Sequence, residues 1–481
     1  MSGSRTRDKV AAWVLGVGMR IFTKEELRIA WRKLENPALP IAGKMQYIAY
    51  TSLLMADKTG VIQPLVSTLR RRSLASMQET IVYDELHLDA RLNRIYDLPS
   101  VILNPERPRT INILVPAFDF NSISAGFFGV FQTALFASKA TPYKVRLVLF
   151  DNFFFDLQKA REKIKRYPGM QTLFDDLEVD YIGDRSHPLE VSADDTCLAT
   201  VWYSAFFAHK IMATINTEKP FLYLIQDYET NFYPGSSSSV VANQSYRFNY
   251  SALFSSKSLQ DFFVNNDIGG IVARGVEYMH FNNACAANLM EEERFMQIHQ
   301  SKPKRRLVFY SRPVVDRNMF ELTAKAILTA FRTGLFSTDQ WECIGMGLGE
   351  CTLRLNEEEY SVCMPRMSLE EYIESVASFD VCLTLMASPH PSLIPMDLAG
   401  SGAVVVTNTF ATKTEAYLRS LSDNIIPADP TLEGLLAALE RAKEASLDLP
   451  ARYKAAADMR YPRNWDETFT EEHRQFLLTH C

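Results

Sequence analysis

Met386-Ala-Ser-Pro-His-Pro-Ser-Leu-Ile-Pro-Met-Asp-Leu-Ala-Gly-Ser-Gly-Ala-Val-Val-Val-Thr-Asn408 is the stretch from which the fold can be read. The run before it, Val381 to Leu385, is mostly apolar and short enough to be a buried strand. Pro395 fits the first turn of a helix, where its missing N–H costs nothing, and Asp397 lies in that same turn. Gly400 and Gly402 close the helix, and Ala403 to Val406 is a second buried strand. In open α/β sheets, a loop that leaves a parallel strand for a helix N-terminus is where anionic ligands bind. An acid at Asp397 can accept hydrogen bonds from a ribose diol, and His390 and Ser392 can face a diphosphate or a sugar.

The same alternation extends on both sides. Downstream of Arg305, strands are expected at Leu307 to Tyr310, Trp341 to Gly345 and Ile425 to Ile426, with helices at Asn318 to Thr333, Ser368 to Ser378 and Leu432 to Glu444. Upstream, strands are expected at Ile111 to Phe118, Val145 to Phe150, Val179 to Ile182, Leu198 to Trp202, Phe221 to Ile225 and, last, Ala252 to Ser255. Helices fall between them at Ser124 to Ala137, 156–167 and Ser204 to Thr214. Strands alternating with helices predict parallel, doubly wound sheets. The expected organisation is α/β, with two tandem Rossmann-like domains facing a cleft: a helical extension over 1–108, one domain over 109–300, a second over 301–460, and a tail over 461–481. Pro462 breaks the helical pattern there, and the last helix is expected to cross back to the first domain near residues 295–305.

The chain has 481 residues, enough for two or three domains, and its 47% apolar and 22% charged residues are those of a globular protein. No run reaches the ~18 uncharged apolar residues of a membrane span, and no signal peptide is expected at Met1 to Asp8. Seven cysteines show neither metal spacing nor a disulfide framework, which suits a reduced, cytoplasmic protein. Residues 1–108 carry 16 basic and 11 acidic side chains, so the rest of a chain of net charge −6 is strongly acidic. That excludes a nucleic-acid-binding body, which needs a basic face. Within the extension, residues 9–33 have two readings: an amphipathic segment lying on the inner face of a membrane, or a helix packed on the core. Pro99 to Pro108 reads as a linker.

Several loops hold candidate chemistry. Ser124-Ala-Gly126-Phe-Phe-Gly129 follows a strand and approximates a dinucleotide fingerprint, with Asp151 ending the next strand. It suits a nicotinamide cofactor or, with serine in place of the first glycine, a close approach to a sugar at Ser124 and Gly126. Asp227 and Glu229, just past a strand, can do acid/base work or cap a turn. Gly345 and Gly347 allow close backbone approach, and Arg312 and Arg366 can fork onto a phosphate. No Asp-x-Asp pair or His/Cys cluster offers metal ligands at a strand end.

Phe309-Tyr-Ser-Arg-Pro313, Pro389-His-Pro-Ser392 and Gly402-Ala-Val-Val-Val-Thr-Asn408 together resemble the rhamnosyltransferases of the WsaF type. Ile113-Leu-Val-Pro116 and Gln226-Asp-Tyr-Glu229 fit the first half of the same family, so the resemblance covers roughly residues 108–480. It implies the GT-B architecture and a dTDP-β-L-rhamnose substrate held by the second domain. It also implies a glycan or lipid-linked glycan acceptor on the first domain, retention of configuration, and no metal or other cofactor. By this resemblance Arg312 and Arg366 hold the diphosphate and Asp397 the ribose, while Asp227 or Glu229 orients or deprotonates the acceptor hydroxyl. The chain departs from the pattern at Asp397, where many relatives have glutamate. It departs again at Pro389, where they have a second glutamate, and at Arg366, commonly lysine. An inactive sugar-nucleotide or glycan-binding module and an NAD-linked oxidoreductase are the alternatives.

Overall fold

In the computed structural model the described residues are 90–481, apart from 119, 121–124, 153, 287–288, 348–350 and 366–368. The expectations for residues 1–89, including the membrane reading of 9–33, lie outside them, as do Ser124 and Arg366.

Two parallel sheets dominate. The first has seven strands, β2 (Thr110–Val115), β3 (Lys144–Leu149), β4 (Glu178–Tyr181), β6 (Thr196–Ala199), β7 (Phe221–Ile225), β8 (Tyr250–Phe254) and β9 (Tyr278–His280), in the order β4-β3-β2-β6-β7-β8-β9. The second has β10 (Arg305–Tyr310), β11 (Trp341–Met346), β12 (Val362–Cys363), β13 (Val381–Thr384), β14 (Val404–Asn408) and β15 (Ile425–Ala428), in the order β12-β11-β10-β13-β14-β15. Both run third, second, first, fourth, fifth, sixth from their own first strand, the doubly wound order, and the first sheet adds β9 as a seventh. Their switch points lie between β2 and β6 and between β10 and β13. Apart from these, β1 (Val101–Leu103) pairs in parallel with β5 (Leu189–Val191). The proline-rich stretch expected to be a linker therefore holds a strand.

The strands are continuous apolar runs because both faces are covered. One face of the first sheet, with Leu114, Val148 and Tyr223, packs under Phe207 and Ile211. The other, with Ile113, Leu147 and Leu222, packs under Val130, Phe131 and Ala134. The helices concerned are α1 (Ala125–Ala140) and, after the short α2 (Leu157–Ile164), α3 (Trp202–Ile215). The first domain adds α4 (Ser237–Gln244) and α5 (Lys257–Asn265). Trp202, expected to end a strand, instead opens α3, and β9 follows the strand expected to be last.

The connection between sheets runs through α6 (Glu292–Ser301). The second domain then carries α7 (Phe320–Arg332), α8 (Leu369–Val376), α9 (Ile394–Gly400), α10 (Glu415–Leu421), α11 (Leu432–Ala445) and α12 (Leu449–Ala457), followed by the tail helix α13 (Glu471–His480). Phe295 of α6 stands where a Cβ on Gly402 would come within 2.5 Å of its ring, and Gly402 has φ 96°, so both space and backbone require glycine there. Phe295 also meets Tyr453 of α12.

The tail helix lies on the first sheet's helical layer. Phe469 stacks on Phe136 with ring centroids 4.5 Å apart, Arg474 Nε donates to the Ala140 carbonyl at 3.1 Å, and Leu477 is buried. The docking expected at residues 295–305 does not occur, because α6 already packs on α12.

A buried carboxylate anchors the underside of the second sheet. Asp380, just before β13, lies 2.9 Å from His299 Nδ1 and 3.0 Å from Arg452 Nη1, pairs with Lys302, and accepts from the Arg306 N–H at 2.8 Å. Burial opposes its ionisation, but His299, Lys302 and Arg452 outweigh it and hold the carboxyl below the usual range. The resulting stability is present at neutral pH and lost as the pH falls through that depressed value. Asp380→Asn should cost about 3–5 kcal/mol, since it leaves buried cations unanswered. Urea melts at neutral pH should show this loss, and the gap to the parent protein should narrow in acid.

Candidate active site

The switch point of the second sheet is built from the ends of β10 and β13. Ser311 continues β10 by donating its N–H to the Met346 carbonyl at 2.7 Å. Its hydroxyl is buried without a hydrogen-bond partner, as is the Arg312 Nε. A Cβ on Gly347 would stand 2.0 Å from the Ser311 carbonyl oxygen, and one on Gly345 would stand 2.9 Å from the Phe309 ring. Both glycines are thus required by the packing of β10 against β11. A 3₁₀ turn, Asp316–Asn318, then presents Arg317. Its carbonyl accepts from the Ala387 N–H at 2.7 Å, and its guanidinium lies 4.2 Å from the centre of the Phe232 ring.

The loop after β13 is held at its base by Asn408, whose Oδ1 accepts from the Met386 N–H at 2.8 Å and whose Nδ2 donates to the Met386 carbonyl at 3.2 Å. Ser388 Oγ accepts from the His390 N–H at 3.0 Å, and His390 Nδ1 accepts from the Ser392 N–H at 3.0 Å. Ser392 has φ 68°, a left-handed turn that brings the chain into α9. Because Nδ1 accepts, the imidazole proton sits on Nε2, which is buried. Burial pushes the ring down to about 4, so it is neutral.

Asp397 is buried in α9. Its oxygens accept from the Ala286 N–H at 2.7 Å and the Tyr372 hydroxyl at 3.1 Å, and burial pushes the carboxyl up to about 7 despite both bonds. The acid expected at the ribose therefore faces the segment that joins the two sheets.

On the first domain, Asp227 follows β7 and reaches across the cleft. One oxygen pairs with Arg317, and the other accepts from Ser388 Oγ and from the Tyr228 N–H at 2.9 Å. Glu229, two residues on, points the other way. It accepts from the Trp202 N–H in the first turn of α3, while its own N–H donates to the Tyr246 hydroxyl at 3.1 Å. Burial pushes its carboxyl up to about 8. Glu229 thus caps a helix, but it is α3, 27 residues earlier in the chain, and not the turn that follows it. At the start of α1, a Cβ on Gly126 would find Gln226 at an ordinary 3.7 Å, whereas one on Gly129 would find Gln226 Oε1 at 2.6 Å and Asn283 Oδ1 at 3.0 Å. Asp151 lies 3.6 Å from Arg94, an ion pair rather than a hydrogen bond.

The structure thus brings Asp227 to His390 and the turn carrying Ser392, leaves Arg312 at the end of β10 beside Gly347, and places Glu229 beneath a helix. Sequence reasoning passed over Arg317, which stands in the same loop as Arg312 and was open to the same argument. It also passed over Ser388, and Lys413, for which no motif gave a signal. Among the described residues no group of three or more His, Cys, Asp or Glu side chains could hold a metal ion, and no helix is long and apolar enough to cross a membrane.

Two family models match the chain: one described as WsaF, N-terminal domain, over residues 110–257, and one described as WsaF, C-terminal domain, over residues 305–440. The O-antigen biosynthesis protein RfbC of Myxococcus xanthus is 28% identical over 261 residues, which are 52% of this chain and 18% of that protein. The chain thus spans less than a fifth of that relative's length. Among solved structures, Anabaena HepE in complex with UDP-glucose has a TM-score of 0.52 at 11% identity, over 77% of this chain and 98% of that one. A mutant of S. aureus TarM in complex with Fondaparinux, alpha-GlcNAc-glycerol and UDP has a TM-score of 0.52 at 7% identity, over 77% and 99%. At such identities the likeness shows the fold, the two Rossmann-like domains of GT-B.

The environment of Glu229 makes a stability prediction. A carboxyl whose folded value is raised contributes stability that is full below its unfolded value, near 4.3, and is lost as the pH rises through about 8. Glu229→Gln should therefore flatten the decline in stability between about pH 5 and about pH 8.5 relative to the parent protein. Parallel pH curves in thermal melts would show that this carboxyl is not held protonated under α3.

Proposed function

The chain belongs to the WsaF-type family of GT-B glycosyltransferases, and from that premise we propose that it moves L-rhamnose from dTDP-β-L-rhamnose to a glycan or lipid-linked glycan of a surface polysaccharide, in the cytoplasm. The observation that carries the donor half of this reading is the pair of unpartnered groups, Ser311 Oγ and Arg312 Nε, at the second switch point. Buried donors without acceptors favour a ligand rich in acceptor oxygens, and the switch point is where such a fold takes one.

In this reading Arg312 and Arg366 hold the diphosphate, and Arg317, five residues beyond Arg312 in the same loop, joins them. Charge builds on the β-phosphate as the sugar leaves, and guanidinium groups aimed at it stabilise that charge. The arginines do the work that a magnesium ion does elsewhere, so no metal is required. Gly345 and Gly347 let the backbone come close, and His390 and Ser392 face the sugar. Asp397, buried and bonded to the Ala286 N–H and the Tyr372 hydroxyl, acts on the ribose by positioning α9 behind it, without direct contact. The acceptor enters by the start of α1, where Gly126 lies beside Gln226, with Ser124 as its further candidate contact. Asp227 orients its hydroxyl and, with attack on the face the diphosphate leaves, configuration is retained without a protein nucleophile. Glu229 supports that arrangement by capping α3.

Two measurements test this. Arg312→Ala should weaken calorimetric binding of dTDP by about 1.5–3 kcal/mol, the worth of a charge-assisted hydrogen bond. Unchanged affinity would remove Arg312 from the site. Turnover of dTDP-rhamnose should survive EDTA and exceed that of UDP-glucose. Loss in chelator with recovery in magnesium or manganese would overturn the metal-free reading, and preference for the UDP sugar would overturn the donor.

A further inference from the structure

Lys413 stands behind the loop Met386–Ser392 and belongs to none of the motifs above. It closes a tight turn in which Phe410 and Lys413 exchange backbone hydrogen bonds of 3.0 and 2.8 Å around Ala411, whose φ is 48°. The neighbouring Thr412 Oγ1 donates to the Ser258 carbonyl of the first domain at 2.6 Å. Lys413 itself is 0% exposed, and its Nζ donates to the Met386 carbonyl at 2.9 Å.

An ammonium has three N–H donors. Among the described residues the Met386 carbonyl is the one acceptor that Lys413 Nζ meets. Asp227 attracts it electrostatically but is already engaged by Arg317, Ser388 Oγ and the Tyr228 N–H. The groups facing one another here are Asp227 from the end of β7, Arg317 from its 3₁₀ turn, His390 from the loop, and Lys413. His390 is neutral, so where Lys413 is protonated the cluster sets two cations, the buried Lys413 and the partly exposed Arg317, against one carboxylate. Buried charge in excess of its counter-charge is costly and is relieved by an anion. Arg312 Nε, buried and unpartnered at the same switch point, independently calls for the same kind of ligand.

We propose that Lys413 is a positioning residue of the donor site. It fixes the Met386 carbonyl, where the donor loop leaves β13, and lends positive charge to the donor's diphosphate from behind that loop without touching it. In a water-poor interior a charge acts over such a separation far more strongly than in solvent. The inference rests on the reading of Met386–Ser392 as the donor loop.

The test uses the full chain and calorimetric titration with dTDP and UDP, at about pH 6 and about pH 8.5. Burial pushes the Lys413 ammonium down to about 7, so it is charged at the lower pH and neutral at the higher. Lys413→Met should weaken binding roughly tenfold at the lower pH and little at the higher. Lys413→Arg, charged throughout, should match the parent protein at the lower pH and bind more tightly than it at the higher. Ionisation of the nucleotide itself cancels, because variants are compared at one pH. Equal affinities for all three proteins at both values overturn the proposal, as does a Lys413→Arg protein that folds and binds no better than Lys413→Met. If Lys413→Met does not fold, the parent and Lys413→Arg decide alone: their affinities must diverge as the pH rises. A parent protein that binds neither nucleotide overturns the donor-loop reading itself, a result distinct from failure of Lys413.

Discussion

The contact on which the cleft depends is the reach of Asp227 from the first sheet to Arg317 and Ser388 of the second. A buried charge pair is weak evidence for stability, because desolvation offsets much of its attraction. Its value here is geometric. One carboxylate fixes two loops that leave adjacent strands, β10 and β13, and sets them against the end of β7. Arg317 is in turn held by the Phe232 ring and by its own carbonyl's bond to Ala387. The Arg317 guanidinium is thus held by groups of the first domain. Under the proposed donor reading, a diphosphate at the switch point would compete for this guanidinium, and donor binding and the separation of the domains would draw on the same charge.

The covalent connections constrain the cleft from elsewhere. The chain crosses between domains twice, after β9 and before α13, and the crossings meet where the Cys285 N–H donates to the Pro462 carbonyl at 2.9 Å. The next residue along the first crossing, Ala286, donates to Asp397. Asp380 holds the far end of that crossing through His299 and Lys302. These contacts belong to the covalent joint and survive any opening that the chain itself permits. Asp227, the Arg317–Phe232 contact and the Thr412–Ser258 bond have no such tether, so they are among the contacts that opening would break.

How much of this was legible in the sequence follows from which forces are local. Phe221 to Ile225 is an unbroken apolar run and formed the strand expected of it. The loop from Met386 and the strand beyond it were legible for the same reason, with Pro395 and the glycines marking the helix between them. Trp202 was misread because its backbone N–H is answered by Glu229, a partner 27 residues away that no local pattern discloses. β9 is three partly exposed residues at a sheet edge, too short and too polar to stand out. The strand β1 forms only because β5, some 90 residues on, lies alongside it.

The site divides in the same way. Asp227 and Glu229 are near neighbours in sequence and looked interchangeable, but the 3₁₀ turn Glu229–Phe232 begins between them and sends the second acid under α3. Asp397 was found from helix position, which gives its place in α9 but not the Ala286 N–H that reaches it from the crossing. Lys413 had no signal of its own. A lysine in a turn is ordinarily solvated, and only the closure of Thr412 onto Ser258 and of Asn408 onto Met386 buries this one. What makes it unusual is the company that tertiary structure assembles: a carbonyl at the root of the loop, a carboxylate already engaged elsewhere, and a neutral imidazole. None of these can neutralise an ammonium alone, and the charge they leave over points to the loop that the two sheets were folded to present.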